Sequence, residues 1–312
     1  MFSRPLSRLG LILPMIALAT TTALIAACGS AGASGEPASG APSSVALRVV
    51  ATTTVFADMI RNVAGDRATV DSVIPAGSGP EDYEPRPEDA RKLADADLIV
   101  SNGVGLDDFL DGLIAAAGEE SAARLVLGDG LETITVEGEE NPHFWLDPTV
   151  VVDHYVPAIG AKLAELDPDG ADVYRANEAA YIDEIRAMDA ANLAKVETIP
   201  AGDRKLVTFH DAFPYFADHY GFGLVGVIVE NVGQEPTASE LATLVETVKE
   251  AGVKAVFSEA QFSPDLARTL ADEAGVTQVV TTLYNDTVGP PPTDTYLKMM
   301  EWNVDEIVKA LG

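Results

Sequence analysis

The 312-residue sequence holds a single cysteine, only four histidines and few aromatic residues (6%), and its 20 Lys and Arg are far outnumbered by 49 Asp and Glu. One cysteine excludes a disulfide framework, a cysteine-ligated zinc module and a CxxC redox pair. The net charge of -29 argues against nucleic acid, whose phosphates require a basic footprint. After residue 27 no apolar run approaches the roughly 18 residues of a membrane span. HExxH and a Ser or Cys nucleophile motif are also missing, which leaves the chain without an enzyme signature. What remains is a folding composition: 47% hydrophobic, with 26 Gly and 19 Pro, close to average usage. The length predicts two domains with proper cores.

The N-terminus predicts an address. Arg4 and Arg8 precede an apolar run from Leu9 to Ala27, the layout of a signal peptide. A transmembrane helix is the competing reading of a run this long. The run ends in Leu24-Ile25-Ala26-Ala27-Cys28-Gly29, which resembles the bacterial lipobox and uses the only cysteine in the chain. Cys28 is therefore expected to carry lipid, and residues 1–27 to be a lipoprotein signal peptide. Residues 28–45, built largely from Gly, Ser, Ala and Pro, are too poor in large apolar groups to offset ordering entropy and read as a flexible tether.

From residue 46 onward, short β-branched runs alternate with helical patterns, the signature of an α/β fold with mainly parallel sheets. Strands are predicted over 47–53, 69–73, 98–101 and 124–127, and again over 205–208, 223–229, 255–258 and 277–281. Two similar β/α lobes follow, 46–166 and 201–312. The segment 167–200 between them reads as one long, rigid linking helix, with Asp167 as N-cap and Pro168 at the first helical position. A single helix is a poor hinge, so the lobes should move little when ligand binds.

Two histidines stand in chemically unusual loops. Asn141-Pro142-His143-Phe144-Trp145-Leu146-Asp147-Pro148 sets one in a Pro-bounded turn that leads into a helix capped by Asp147. Lys205-Leu206-Val207-Thr208-Phe209-His210 sets another at the C-terminal end of a strand, where open α/β sheets bind ligands. His154 and His219 fall in helical patterns and read as structural or solvent-facing. Phe144 and Trp145 are expected to pack around the cleft, and Met299-Met300 to lie in the core. The acidic stretch 128–141, without histidine before His143, reads as a solvated loop.

Four segments taken together carry a resemblance. They are Val73-Ile74-Pro75-Ala76-Gly77-Ser78-Gly79-Pro80-Glu81-Asp82-Tyr83-Glu84-Pro85, the His143 segment, the His210 segment and Leu283-Tyr284-Asn285-Asp286-Thr287. In order and spacing the chain resembles the cluster A-I metal-binding lipoproteins, the zinc and manganese solute-binding proteins of bacterial ABC importers. The resemblance extends over nearly all of 46–312. It implies an extracytoplasmic, lipid-anchored monomer that captures Zn(II) or Mn(II) in the inter-lobe cleft and delivers it to a permease and its ATPase, encoded elsewhere. It implies the ligands Glu81, His143, His210 and Asp286, two from each lobe, donor types that suit these ions.

One position departs from the family pattern: Glu81 stands where a histidine is usual. Either its carboxylate completes the site, or it belongs to a solvated loop and water completes a three-ligand site. Oxygen donors favour Mn(II), while the Irving-Williams order favours Zn(II). An adhesin of the same fold, a metal-dependent hydrolase and a receptor for an organic solute are the competing functions; the low aromatic content and stiff linker speak against the last. Because the ligands must be deprotonated, metal affinity is expected to fall between about pH 7.5 and about pH 5.5 in titrations with Zn(II) or Mn(II). An unchanged affinity would contradict a His and carboxylate site.

Overall fold

A computed structural model describes residues 46–80, 83–117, 122–136, 138–230 and 232–312. The expectations for Cys28, the signal segment, the tether and Glu81 lie outside the described residues. Strands β1 (Leu47–Ala51), β2 (Ala68–Ser72), β3 (Leu98–Ser101) and β4 (Ala123–Val126) form a parallel sheet in the order β2-β1-β3-β4. Helices α1 (Thr54–Ala64), α2 (Pro87–Ala94) and α3 (Asp111–Ala117) connect them. A small antiparallel ladder, β5 (Thr135–Val136) with β6 (Glu139–Glu140), interrupts what the sequence reads as a plain acidic loop.

The second half repeats the scheme. Parallel ladders join β7 (Lys205–Thr208) to β8 (Gly223–Val227) and β9 (Ala255–Glu259) to β10 (Gln278–Leu283), and β7 packs beside β9. The two ladders thus lie side by side, with β7 next to β9. Helices α7 (Pro214–Tyr220), α8 (Ala238–Ala251) and α9 (Asp265–Ala274) each end on a left-handed glycine, Gly221, Gly252 and Gly275, the conformation that terminates a helix at least cost when no Cβ is present. The chain closes with α10 (Tyr296–Leu311), whose Met299 and Met300 are buried.

Between the halves runs a helical stretch beginning with α4 (Pro148–Val150), which passes through a π-helical turn at Val151–Tyr155 into α5 (Val156–Leu166). His154 lies in that turn, half-buried. The long helix α6 (Ala171–Val196) has 26 residues, about 39 Å at 1.5 Å per residue. Its buried residues Tyr174, Tyr181, Ile185, Met188, Asn192 and Val196 fall at helical spacing along one stripe. The long helix packs against α1 from the first half, against α5 just before it in the chain, and against α10 from the second. One helix therefore braces both halves. No described helix is long and apolar enough to cross a membrane.

Asp167 does not cap this helix as the sequence suggests. Its carboxylate holds the Arg67 guanidinium at 2.7 and 2.8 Å and the Tyr174 hydroxyl at 2.6 Å, while a 3-10 turn, Pro168–Gly170, precedes α6. Paired hydrogen bonds to a guanidinium outweigh one bond to a backbone N–H, and they hold the Asp167 carboxyl below its usual range, led by the Tyr174 hydroxyl and followed by Arg67.

Of the two roles the sequence leaves open for His219, the structure shows the structural one, a brace. On α7, its Nδ1 lies 3.2 Å from Asp147 at the start of α4 and its Nε2 lies 2.7 Å from Asp189 on α6. Burial works against the imidazolium, yet Asp189, Asp147 and Asp218 together outweigh it and raise the pKa above the ordinary 6.5. A raised folded-state pKa gives stability that is fully present below the unfolded value and lost as pH rises through the folded one. His219→Gln should therefore lower the melting temperature more at about pH 6 than at about pH 8.5, where a neutral ring contributes less. Equal losses at both pH values in thermal melts would contradict the charged brace.

Candidate metal centre

The site forms where loops from the two halves meet. His210 lies two residues beyond the end of β7 and Asp286 three residues beyond the end of β10, so both emerge at the C-terminal edge of parallel strands, the usual ligand position in such sheets. His143 arrives from the first half, in the turn after β6. Asp147 accepts a hydrogen bond from the Thr149 N–H at 2.8 Å and Pro148 opens α4, as the sequence predicts.

All three are buried: His143 is 5% exposed, His210 4% and Asp286 0%. His143 Nε2 lies 3.4 Å from Asp286 Oδ1, and His210 Nε2 lies 4.0 Å from Asp286 Oδ2. One ligand atom from each residue falls within 4.8 Å of the other two. Two donors bound at about 2.1 Å to one tetrahedral ion stand about 3.4 Å apart. The observed spacings match a site needing only small side-chain movements to close on a cation.

Acceptors placed beside the Nδ1 atoms favour one tautomer of each ring. A neutral imidazole carries one N–H, so an acceptor beside Nδ1 leaves Nε2 with its lone pair. Asn141 Oδ1 sits 3.0 Å from His143 Nδ1, and Glu259 Oε1 sits 3.2 Å from His210 Nδ1. The Asn285 amide approaches His210 Nε2 at 3.3 Å, and Gln261 donates to Asp286 Oδ2 at 2.7 Å.

The loops themselves are stitched across the seam. Asn141 donates to the Asp211 carbonyl at 2.6 Å, and the Tyr215 hydroxyl donates to the Asn141 carbonyl at 2.9 Å. Trp145 Nε1 donates to the Asn285 carbonyl at 2.8 Å, next to Asp286. Tyr296 in turn donates through its hydroxyl to the Trp145 carbonyl at 2.9 Å, while Asp58 on α1 accepts the Tyr296 N–H at 2.8 Å. Phe144 and Trp145 are both buried, as expected, and Phe56 packs edge-on against Trp145.

The site opens into a cleft of about 1040 Å³ lined by residues of both halves, among them Pro80, Leu106, His143, His210, Leu224 and Gln234. Glu139, Glu140, Glu230, Glu235 and Glu240 also line it, giving the walls a negative field that attracts cations. Pro80 is the residue before Glu81 and is buried. The structure thus brings together His143, His210 and Asp286 of the four predicted ligands; Glu81 falls outside the described residues. Glu259, Gln261, Asn141 and Asn285 are supporting groups that the sequence reading does not single out. For Glu259 a signal existed: an acid that ends the otherwise uncharged run Ala255-Val256-Phe257-Ser258.

Paired parallel α/β halves, a bracing helix and a His-His-Asp cluster at the seam define a two-lobed solute-binding protein with a site of cation dimensions. The chain belongs to the ZnuA family, described as zinc-uptake complex component A, periplasmic, whose model matches residues 49–310. It is similar to the manganese-binding lipoprotein MntA of Halalkalibacterium halodurans, 32% identical over 91% of this chain and 94% of that protein. It is also similar to the iron ABC transporter substrate-binding lipoprotein MtsA of Streptococcus pyogenes serotype M1, 29% identical over 93% of this chain and 94% of that one. Among solved structures, the periplasmic zinc-binding protein TroA of Treponema pallidum superposes with a TM-score of 0.79 at 27% identity, covering 86% of this chain and 100% of that one.

Trp145→Phe removes the donor to the Asn285 carbonyl while keeping most of the ring. A buried carbonyl left without its partner costs about 1–3 kcal/mol, which denaturant unfolding should register. A variant as stable as the parent would contradict the seam network.

Proposed function

We propose that this chain is an extracytoplasmic receptor lipoprotein that captures one divalent transition-metal ion in the inter-lobe cleft and delivers it to the permease of an ABC importer. The observation that carries the proposal is the convergence of His143, His210 and Asp286 within 4.8 Å, buried at the seam. The family relationship supports the transport role, since the relatives' names describe manganese- and iron-binding lipoproteins of this type.

The proposed ligands are His143, His210, Asp286 and Glu81, the last supported by the position of Pro80 in the cleft wall beside His143 and His210. Two imidazoles and two carboxylates would balance the charge of a divalent ion. Zn(II) and Mn(II) are both compatible with this donor set; the Irving-Williams order makes Zn(II) the more tightly bound ion in solution, whatever the physiological cargo. Cys28 is the proposed lipid attachment site, and a permease with its ATPase the proposed partners. A filled four-ligand site holds no open position for a catalytic water, the reason to read a receptor rather than a hydrolase.

Elemental analysis of protein purified without added metal, followed by competition titration, tests this reading. One Zn or Mn per chain is expected, with His210→Ala weakening binding at least about 100-fold and Glu81→Ala by about 10-fold or more if its carboxylate is a ligand. Wild-type protein that binds neither ion would overturn the function. Glu81→Ala with wild-type affinity would assign the fourth position to water instead.

A further inference from the structure

Strand β9 carries an unexplained charge. Its five residues, Ala255–Glu259, are all buried, and alternation puts Ala255, Phe257 and Glu259 on one face. Ala255 and Phe257 join the main hydrophobic core, whereas Val256 faces the smaller core under α8 and α9. Glu259 therefore ends the apolar face of a fully buried strand, with 0% exposure. A carboxylate there carries a large desolvation cost unless a partner offsets it. Among the described residues the one ionisable group within ion-pair distance is His210, whose Nδ1 lies 3.2 Å from Glu259 Oε1, close but outside hydrogen-bond geometry, and neither Glu259 oxygen accepts a hydrogen bond there.

A group that contributes so little to the fold for its cost has its use elsewhere. We infer that Glu259 is a positioning residue for metal capture: standing 3.2 Å from His210 Nδ1, its carboxylate accepts the Nδ1 proton after a small rotation of either side chain as metal binds, fixes the tautomer and ring orientation that aim Nε2 at the ion, and strengthens the imidazole as a donor. The inference rests on His210 being a metal ligand. His143 is supported differently, by the neutral carbonyl of Asn141 at 3.0 Å, so the two imidazoles are unequal donors. The strand end serves the other ligand as well, since Gln261, two residues on, donates to Asp286 Oδ2 at 2.7 Å. One rigid strand terminus thus sets both ligands of the second half. The principle is general: an outer carboxylate on a ligating histidine raises its basicity, and removing it lowers metal affinity 10–100-fold.

The test uses the full folded region with Zn(II) and Mn(II) titrations, together with NMR of the Co(II)-loaded protein, in which the His210 Nδ1–H gives a hyperfine-shifted exchangeable signal. Glu259→Leu should weaken both metals about 10–100-fold, lose that signal to solvent exchange and leave the metal-free melting temperature unchanged or higher. Glu259→Gln keeps an acceptor without the charge. It should retain the proton signal at an altered shift and weaken binding less than the Leu variant. A purely structural Glu259 would give the opposite pattern, with metal-free stability falling and affinity intact in whatever folds. If Glu259→Leu does not fold, Glu259→Gln decides alone: wild-type affinity with an unmoved signal overturns the inference. His210→Ala separates the levels. Loss of metal there with full affinity in both Glu259 variants refutes the positioning role only, whereas a wild type that binds no metal removes its foundation too.

Discussion

The structure depends on keeping three ionisable side chains out of water at the junction of two halves. Asp286 is wholly buried and His143 and His210 nearly so, an arrangement that is expensive in the absence of compensating charge or hydrogen bonds. Almost every distinctive contact near the seam answers that constraint. Gln261 holds one oxygen of Asp286, Asn141 and Glu259 stand behind the imidazoles, and Trp145 and Tyr296 lock the loop that leads into Asp286. On the function proposed above, the charge of a divalent cation would offset the burial of the three together.

The bracing by α6 follows the same logic. Donors aimed at a single small ion must be placed to within a fraction of an ångström, and loops from separate halves achieve that only if the halves hold a fixed relation. The helix packs against α1, α5 and α10. His219 fastens the start of α4 and the middle of α6 to α7, so the elements that follow His143 and His210 are tied to one axis. Stiffness of this kind limits domain closure, and it places discrimination between ions in the donor set and its supporting hydrogen bonds.

Much of this was legible in the sequence because it rests on local rules. The β-branched runs alternating with helical patterns located all eight strands of the main ladders and the long helix, and Asp147-Pro148 announced a cap that forms as expected. His143, His210 and Asp286 were found through their segments, and the structure brings them together. What sequence could not supply is long-range competition. Asp167-Pro168 looked like a helix start, but Arg67, one hundred residues earlier, captures the carboxylate. For His219 the sequence left a structural and a solvent-facing role open because Asp147 and Asp189 are distant in the chain, and Glu259 looked like one acid among 49 until its burial and its neighbour were known.

The central claim is that His143, His210 and Asp286 hold one metal ion at the seam. Anomalous diffraction from crystals grown with Zn(II), recorded on both sides of the zinc edge, addresses it directly. The account predicts a single strong peak about 2.0–2.2 Å from His143 Nε2, His210 Nε2 and an Asp286 oxygen. A peak elsewhere in the cleft with these three side chains unengaged, or none at all, would contradict it.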